Sequence, residues 1–124
     1  MKIATITSMS TGHADFPARA TNDGSNNVFA ESLGVHRVTD SWVTHCNSEG
    51  VCHDGNTSNG SNTVFCNGLQ VARVGDSISC GDSIATGRDT VRVGDWLYKD
   101  TFKIINGDIV IDKDLIIVNG QEEL

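Results

Sequence analysis

Apolar positions along this chain come in short runs and never at helical spacing. No window repeats them at i, i+3, i+4 and i+7 for three turns. Short runs containing Val, Ile or Phe alternate instead with stretches rich in Gly, Asn and Ser, which predicts an all-β protein with frequent turns. The clearest runs are N-x-V-F-x, after a G-S-N turn, and V-x-R-V, ended by x-D-S. Val28 and Phe29, like Val64 and Phe65, are adjacent, so each pair sends side chains to opposite strand faces. One of each pair can enter a core while the other is free to meet a partner. Asn67-Gly68 reads as a two-residue hairpin turn, because both residues tolerate positive φ. The first copy has Ser32 and Gly34 nearby instead, which predicts a looser or shifted turn.

These runs belong to a duplication. Gly24 to Trp42 aligns with Gly60 to Ile78 at an offset of 36 without gaps, and eleven of nineteen positions are identical. A shorter third copy, G-R-D-T-V-R-V-G-D, runs from Gly87 to Asp95 with the same step from Gly to Val. Three related units imply a pseudo-threefold arrangement. Two short strands cannot bury a face alone, so the units must pack together or on something else.

Composition narrows what such a domain can do. The chain has 124 residues, 13 glycines and seven aromatics, so one domain with a thin apolar core is expected. A net charge of −7, with nine basic residues spread along the chain, argues against a nucleic-acid partner or anionic lipid. The longest aliphatic run, Leu115 to Val118, is far too short for stable membrane insertion. The N-terminal residues lack a signal peptide's long apolar region, so synthesis in the cytoplasm with reduced thiols is expected.

Every junction between repeats carries a metal-ligand residue type. His13 precedes the first copy, His45 and His53 lie between the first and second, and Cys80 lies between the second and third. Three His and one Cys suit a closed tetrahedral site, for zinc or alternatively ferrous iron. A closed site is structural, because no coordination position remains for a substrate. Cys46 and Cys52 leave alternatives open: a disulfide closing a short loop, or replacement of a histidine as ligand. Cys66 replaces Ala30 within a strand and is expected to be a small buried or surface residue. His36 aligns with Ala72 on a strand and is excluded from the site. The only acids near the long junction, Glu49 and Asp54, sit in no hydrolase or deaminase pattern, so no catalytic residue is expected.

At this point the chain resembles the PAAR-repeat family of small proteins that cap the spikes of contractile injection machines. The resemblance rests on the G-S-N-x-V-F blocks at Gly24 and Gly60, the R-V-x-D-S blocks at Arg37 and Arg73, and the H-C-(x)5-C-H block. It rests also on T-G-H-A-D-F-P-A-R and S-C-G-D-S-I-A-T-G, and it covers Ile3 to Asp95. The eponymous tetrad is degenerate at Gly34 to Arg37 and Gln70 to Arg73, and Arg92 stands where the family usually has Phe.

The resemblance implies a cone of short strands with one metal near its apex, held by His13, His45, His53 and Cys80. It implies a broad base docked on a trimeric β-helical spike protein, one cap per trimer, with Phe29 and Phe65 or their neighbours Val28 and Val64, and Val91, near that base. The cap would sharpen the spike of a phage tail, a type VI secretion system or a related particle for transient penetration of a cell envelope. An adaptor that attaches cargo or recognises a cell surface is the alternative reading, and a metal-dependent hydrolase a remote one. Residues 1–95 would form the cone. Residues 96–124 read as one or two β-hairpins bracing the base or contacting a partner, with a turn at Asn106-Gly107.

Overall fold

The computed structural model describes residues 1–94 and the backbone of three further strands between residues 102 and 117. The described residues are all-β and contain no helix. Strands β1 (Phe29–Ala30) and β2 (Leu33–Gly34) form one antiparallel pair. Strands β3 (Ser41–Cys46) and β4 (Cys52–Asn56) form a second, and β5 (Phe65–Cys66) and β6 (Leu69–Gln70) a third. Strands β7 (Phe102–Ile105), β8 (Asp108–Ile111) and β9 (Leu115–Ile117) make a three-stranded antiparallel sheet in chain order. The boundary expected at residue 95 and the Asn106-Gly107 turn lie outside the described residues.

Strands of two residues cannot hold a fold by their own ladders, and the units are joined by two rings of backbone hydrogen bonds, with a third set repeated inside each unit. The Ala4 N–H donates to Ala72 O, Ala72 N–H to His36 O, and His36 N–H to Ala4 O, each at 3.0 Å. In the second ring Ile6 donates to Gly34, Val38 to Gln70 and Val74 to Lys2, at 2.8 to 2.9 Å. In the third set, within each unit, Ser25 donates to Val35, Ser61 to Val71 and Arg88 to Ile3, at 2.7 to 3.0 Å. Each ring passes once through each of three units, and the third set repeats once inside each unit, which together define a pseudo-threefold axis.

The third unit is assembled from both ends of the described segment. Its Gly87–Gly94 part lacks a following V-x-R-V run, and the N-terminal residues Ile3 to Ser8 take that place. Ile3 N–H donates to Val91 O at 3.0 Å, as Val35 does to Val28 at 3.0 Å and Val71 to Val64 at 3.1 Å. Backbone closure explains the glycine that opens each repeat. A Cβ on Gly60 would lie 2.5 Å from Val71 O, and one on Gly87 2.5 Å from Ile3 O.

Other repeated residues cap the chain's turns. The Asp40 carboxylate accepts from the Arg37 backbone N–H at 2.9 Å, and Asp76 from that of Arg73 at 2.8 Å. Both aspartates also take the guanidinium of the same arginine. In the N-terminal copy, Ser8 Oγ accepts from Thr5 N–H at 3.0 Å, so the turn survives without the ion pair. Thr7, Thr39 and Gly75 share the left-handed conformation in these three turns, with φ of 83°, 81° and 97°.

The core lies in two layers. Ile3, Val28, Ala30, Val35, Val64, Cys66, Val71, Val91 and Val93 form the first. Ala4, Trp42, Ala72, Ile78 and Ile84 form the second, against which Cys80 packs. Val28, Val64 and Val91 are therefore interior, at 2%, 7% and 2% exposure, and are not available to a partner. This corrects their assignment to a docking face. Strand alternation sends the valine inward and leaves Phe29 and Phe65 exposed at 46% and 44%. The third equivalent position holds exposed Arg92.

A second correction concerns the first hairpin. Its turn is neither loose nor shifted: Ala30 pairs with Leu33 across Glu31-Ser32, as Cys66 pairs with Leu69 across Asn67-Gly68. Glu31 and Ser32 adopt φ of 52° and 68°, matching 55° and 80° at Asn67 and Gly68. Left-handed backbone at non-glycine residues costs on the order of 1 kcal/mol each. Glu31 offsets some of that cost by bridging to the third unit, where its carboxylate accepts from Thr90 N–H at 2.8 Å and Arg88 Nε at 2.9 Å. Asn67 reaches the first unit in the same manner, through Ser25, Asn27 and Arg37.

Candidate metal centre

After each x-D-S turn the chain runs out into a hairpin and returns to the next unit. Met9 pairs with Ala20, Ser41 with Asn56, and Ser77 with Ser83. The three hairpins differ in length, and their tips converge on one cluster: His13, His45, His53 and Cys80. One ligand atom from each lies within 4.8 Å of all the others. His45 is buried, and the other three are half-buried. The residues expected at the junctions are thus brought together.

Local backbone aims each ring. His45 and His53 are directly opposite in the β3–β4 ladder, one position before the Cys46–Cys52 pair. His13 and Phe16 exchange both backbone hydrogen bonds, at 3.0 and 2.8 Å, in a tight turn. That turn requires Gly12, whose φ is +79° and whose Cβ would meet Phe16 O at 2.8 Å. Phe16 lies against all three imidazoles, with ring centroids 4.1 Å from His53 and 4.9 Å from His13 and His45.

The donor set fits a cation. The three Nε2 atoms face one another at 2.8, 3.1 and 3.2 Å. His45 donates its Nδ1 proton to Pro17 O at 2.7 Å, which leaves its Nε2 a bare lone pair. Three such nitrogens cannot all satisfy one another by hydrogen bonds, because any two that donate to a third confront each other. A cation among them satisfies all three. Tetrahedral zinc with nitrogens at about 2.0–2.1 Å needs them about 3.3 Å apart, close to the spacing present. Desolvation, followed by the proximity of His45, His13 and Arg19, lowers the pKa of His53 and favours the neutral ring that ligation requires.

Of the roles left open for Cys46 and Cys52, the structure has the disulfide, which excludes both as ligands. Cys66 is buried, and burial pushes its thiol pKa up. His36 stands apart from the cluster, fully buried. Its Nδ1 lies 2.7 Å from Asp23 O and its Nε2 2.8 Å from Thr57 Oγ1, which also accepts from Trp42 Nε1. Desolvation is the chief reason its pKa lies below the ordinary histidine value.

Two residues beside the centre escaped the sequence reading. Phe16 and Arg19 both lie in the F-P-A-R segment, and an isolated arginine within a turn-rich stretch between two candidate ligands was the available signal. Arg19 is 4% exposed and donates from Nη2 to Cys80 Sγ at 2.8 Å. Asp82 lies beside it in the third hairpin, buried. Burial raises its pKa, but hydrogen bonds from Ser10, Thr11, Ser83 and Gly12 outweigh that and hold the carboxyl below its usual range.

Three interlocked β-units whose hairpin tips gather three histidines and a cysteine define a small all-β protein with one candidate metal centre among the described residues. The PAAR motif family profile matches residues 11–86, more than half of the chain, and the chain belongs to that family. Membership places it with spike-tip-type structural proteins of contractile injection systems. No curated protein matches the chain. Among the described residues, no helix is long and apolar enough to cross a membrane.

Proposed function

We propose that this protein caps the end of a trimeric β-helical spike, one copy per trimer, and hardens its point with a single structural zinc ion. His13, His45, His53 and Cys80 are the ligands, and ferrous iron is the alternative metal. The observation that carries this reading is the coincidence of pseudo-threefold closure with convergence of all four donors at the hairpin tips. A single chain with threefold pseudosymmetry is the simplest object that can match the end of a homotrimer.

Phe29 and Phe65 form the docking face, with Arg92 at the third equivalent position. Residues 1–95 act as the rigid cap, and residues 96–124 brace it or contact the partner. The machine is a phage tail or a secretion-system spike, and the cap, made in the cytoplasm, meets the target envelope only transiently. Structural zinc sites supply roughly 10–16 kcal/mol apparent in small peptides, against about 5–15 kcal/mol for the net stability of a domain. One ion therefore suffices to decide whether three long tips hold a single arrangement.

The test pairs elemental analysis with native mass spectrometry of the cap mixed with a candidate spike trimer. One metal per chain and one chain per trimer are expected, with complex formation lost in a Phe29→Asp/Phe65→Asp double variant. Metal-free protein from mild purification, or a complex indifferent to both phenylalanines, would overturn the reading.

A further inference from the structure

Arg19 touches parts of two hairpins other than its own. Its Nη1 donates to Val43 O at 3.0 Å and His53 O at 3.4 Å, both in the β3–β4 hairpin. Its Nη2 donates to Cys80 Sγ at 2.8 Å in the third hairpin. Its Nε faces Asp82 Oδ2 at 3.9 Å, an ion pair beyond hydrogen-bond distance. Both side chains are almost wholly excluded from solvent, at 3% and 0% exposure. Burying a guanidinium costs several kcal/mol unless opposite charge and acceptors surround it. Here one carboxylate, two carbonyls and one sulfur do so.

The chain also makes room for this group. A Cβ on Gly55 would lie 2.8 Å from Arg19 Nη2, 3.0 Å from Ile78 Cγ2 and 3.4 Å from Cys80 Sγ. Gly55 pairs with Trp42 in the ladder, where a side chain would otherwise be tolerated, so its absence leaves a slot that the guanidinium fills. The fork is needed because the carbonyls and the sulfur lie in different directions. A lysine ammonium is a point charge and cannot span them with the same geometry.

We infer that Arg19 is a positioning residue of the metal centre: its guanidinium fixes the direction of Cys80 Sγ and ties the β3–β4 and third hairpins to the first. This rests on the metal reading above and adds to it a residue that touches no ion. Partners of this kind, one bond removed from the metal, are typically worth 10–100-fold in affinity.

The experiment titrates the full chain with Co(II) and with Zn(II) in competition with a chelator, for wild type, Arg19→Met, Arg19→Lys and Gly55→Ala. The sulfur-to-cobalt charge-transfer band reports the Cys80 bond directly, and a purely structural role for Arg19 would not move it. Arg19→Met and Arg19→Lys are expected to weaken Zn(II) binding about 10–100-fold and to shift or weaken that band. Unchanged affinity and spectrum in Arg19→Met, whatever its melting temperature, overturn the inference, as does full recovery by Arg19→Lys. Should Arg19→Met fail to fold, Gly55→Ala keeps the arginine and displaces its fork; a shifted band then supports the inference and an unshifted one overturns it. Wild type that takes up no Co(II) or Zn(II) overturns the metal reading itself, an outcome separate from a variant that matches wild type.

Discussion

The ring layer and the hairpin tips are built on opposite principles. In the rings each unit does what the others do: Ala4, His36 and Ala72 make the same bonds at the same length, and Val28, Val64 and Val91 fill the same places. At the tips nothing repeats. The hairpins have different lengths, two of the four candidate ligands come from one of them, and single residues such as Phe16 and Arg19 serve the whole end. Symmetric order of this kind is redundant and comes from many weak bonds. The order at the tips depends on a few strong ones, so it should fail separately.

Stripping the metal is the sharpest way to separate the two regions. A strong chelator is expected to lower the melting temperature by ten degrees or more, because several kcal/mol are lost and about 1 kcal/mol moves a domain of this size by roughly 4–8 °C. Hydrogen exchange read residue by residue should then show residues 43–55 opening while the amides of Ala4, His36 and Ala72 stay protected. Uniform loss of protection in both regions would break the comparison.

Ile3→Ala attacks the other side. It deletes a fully buried side chain from the first core layer and is expected to cost about 2–5 kcal/mol in denaturant unfolding. Metal content by elemental analysis should remain at wild-type level in the folded fraction.

The Cys46–Cys52 disulfide closes only a short loop, at a sequence separation of 6. Its removal in a Cys46→Ser/Cys52→Ser variant is expected to cost about 2 kcal/mol or less. The loop is already held by Asn47, whose Oδ1 accepts from Glu49 and Val51 N–H at 3.0 and 2.9 Å, and by Ser48 bonded to Asp15. Metal stoichiometry should be unchanged; its loss would mean that the disulfide, more than the ladder, aligns His45 with His53.

The smallest effect belongs to Glu31, whose bonds to Thr90 and then Arg88 lower its pKa from an ordinary 4.5 to about 2. A depressed carboxyl pKa contributes stability that is full above the unfolded value and is lost as pH falls toward the folded one. Glu31→Gln should therefore flatten the pH dependence of stability between about 4.5 and 2. An unaltered acid profile would show that this bridge between units contributes nothing.

Much of this was legible in the chain because duplication reports backbone geometry directly. The Val-Phe alternation and the R-V-x-D turn each follow from a local rule. The ligand types stood at the junctions, where a symmetric set of units must turn. Ile3 to Ser8 were not recognisable as the missing part of the third unit. They share with Val35–Asp40 only an apolar first and fourth residue and the threonine at the fifth, and only the backbone hydrogen bonds equate them. The first turn was misread because Glu31-Ser32 carries no turn signal. Its left-handed conformation is imposed by the register and held by contacts with another unit.

By itself, then, the sequence determined the class and the repeats, and it offered the four residues that meet at the tips with Cys46 and Cys52 left open as alternatives. These depend on local periodicity and on residue type, which need no knowledge of neighbours. Only the tertiary structure decided which member of each Val-Phe pair faces out and which role Cys46 and Cys52 take. It alone completed the third unit with the N-terminal run and put Arg19 into the slot beside Gly55. Apart from the short Cys46–Cys52 link, those outcomes depend on contacts between residues tens of positions apart, whose energies arise only once the rings have brought the three units together.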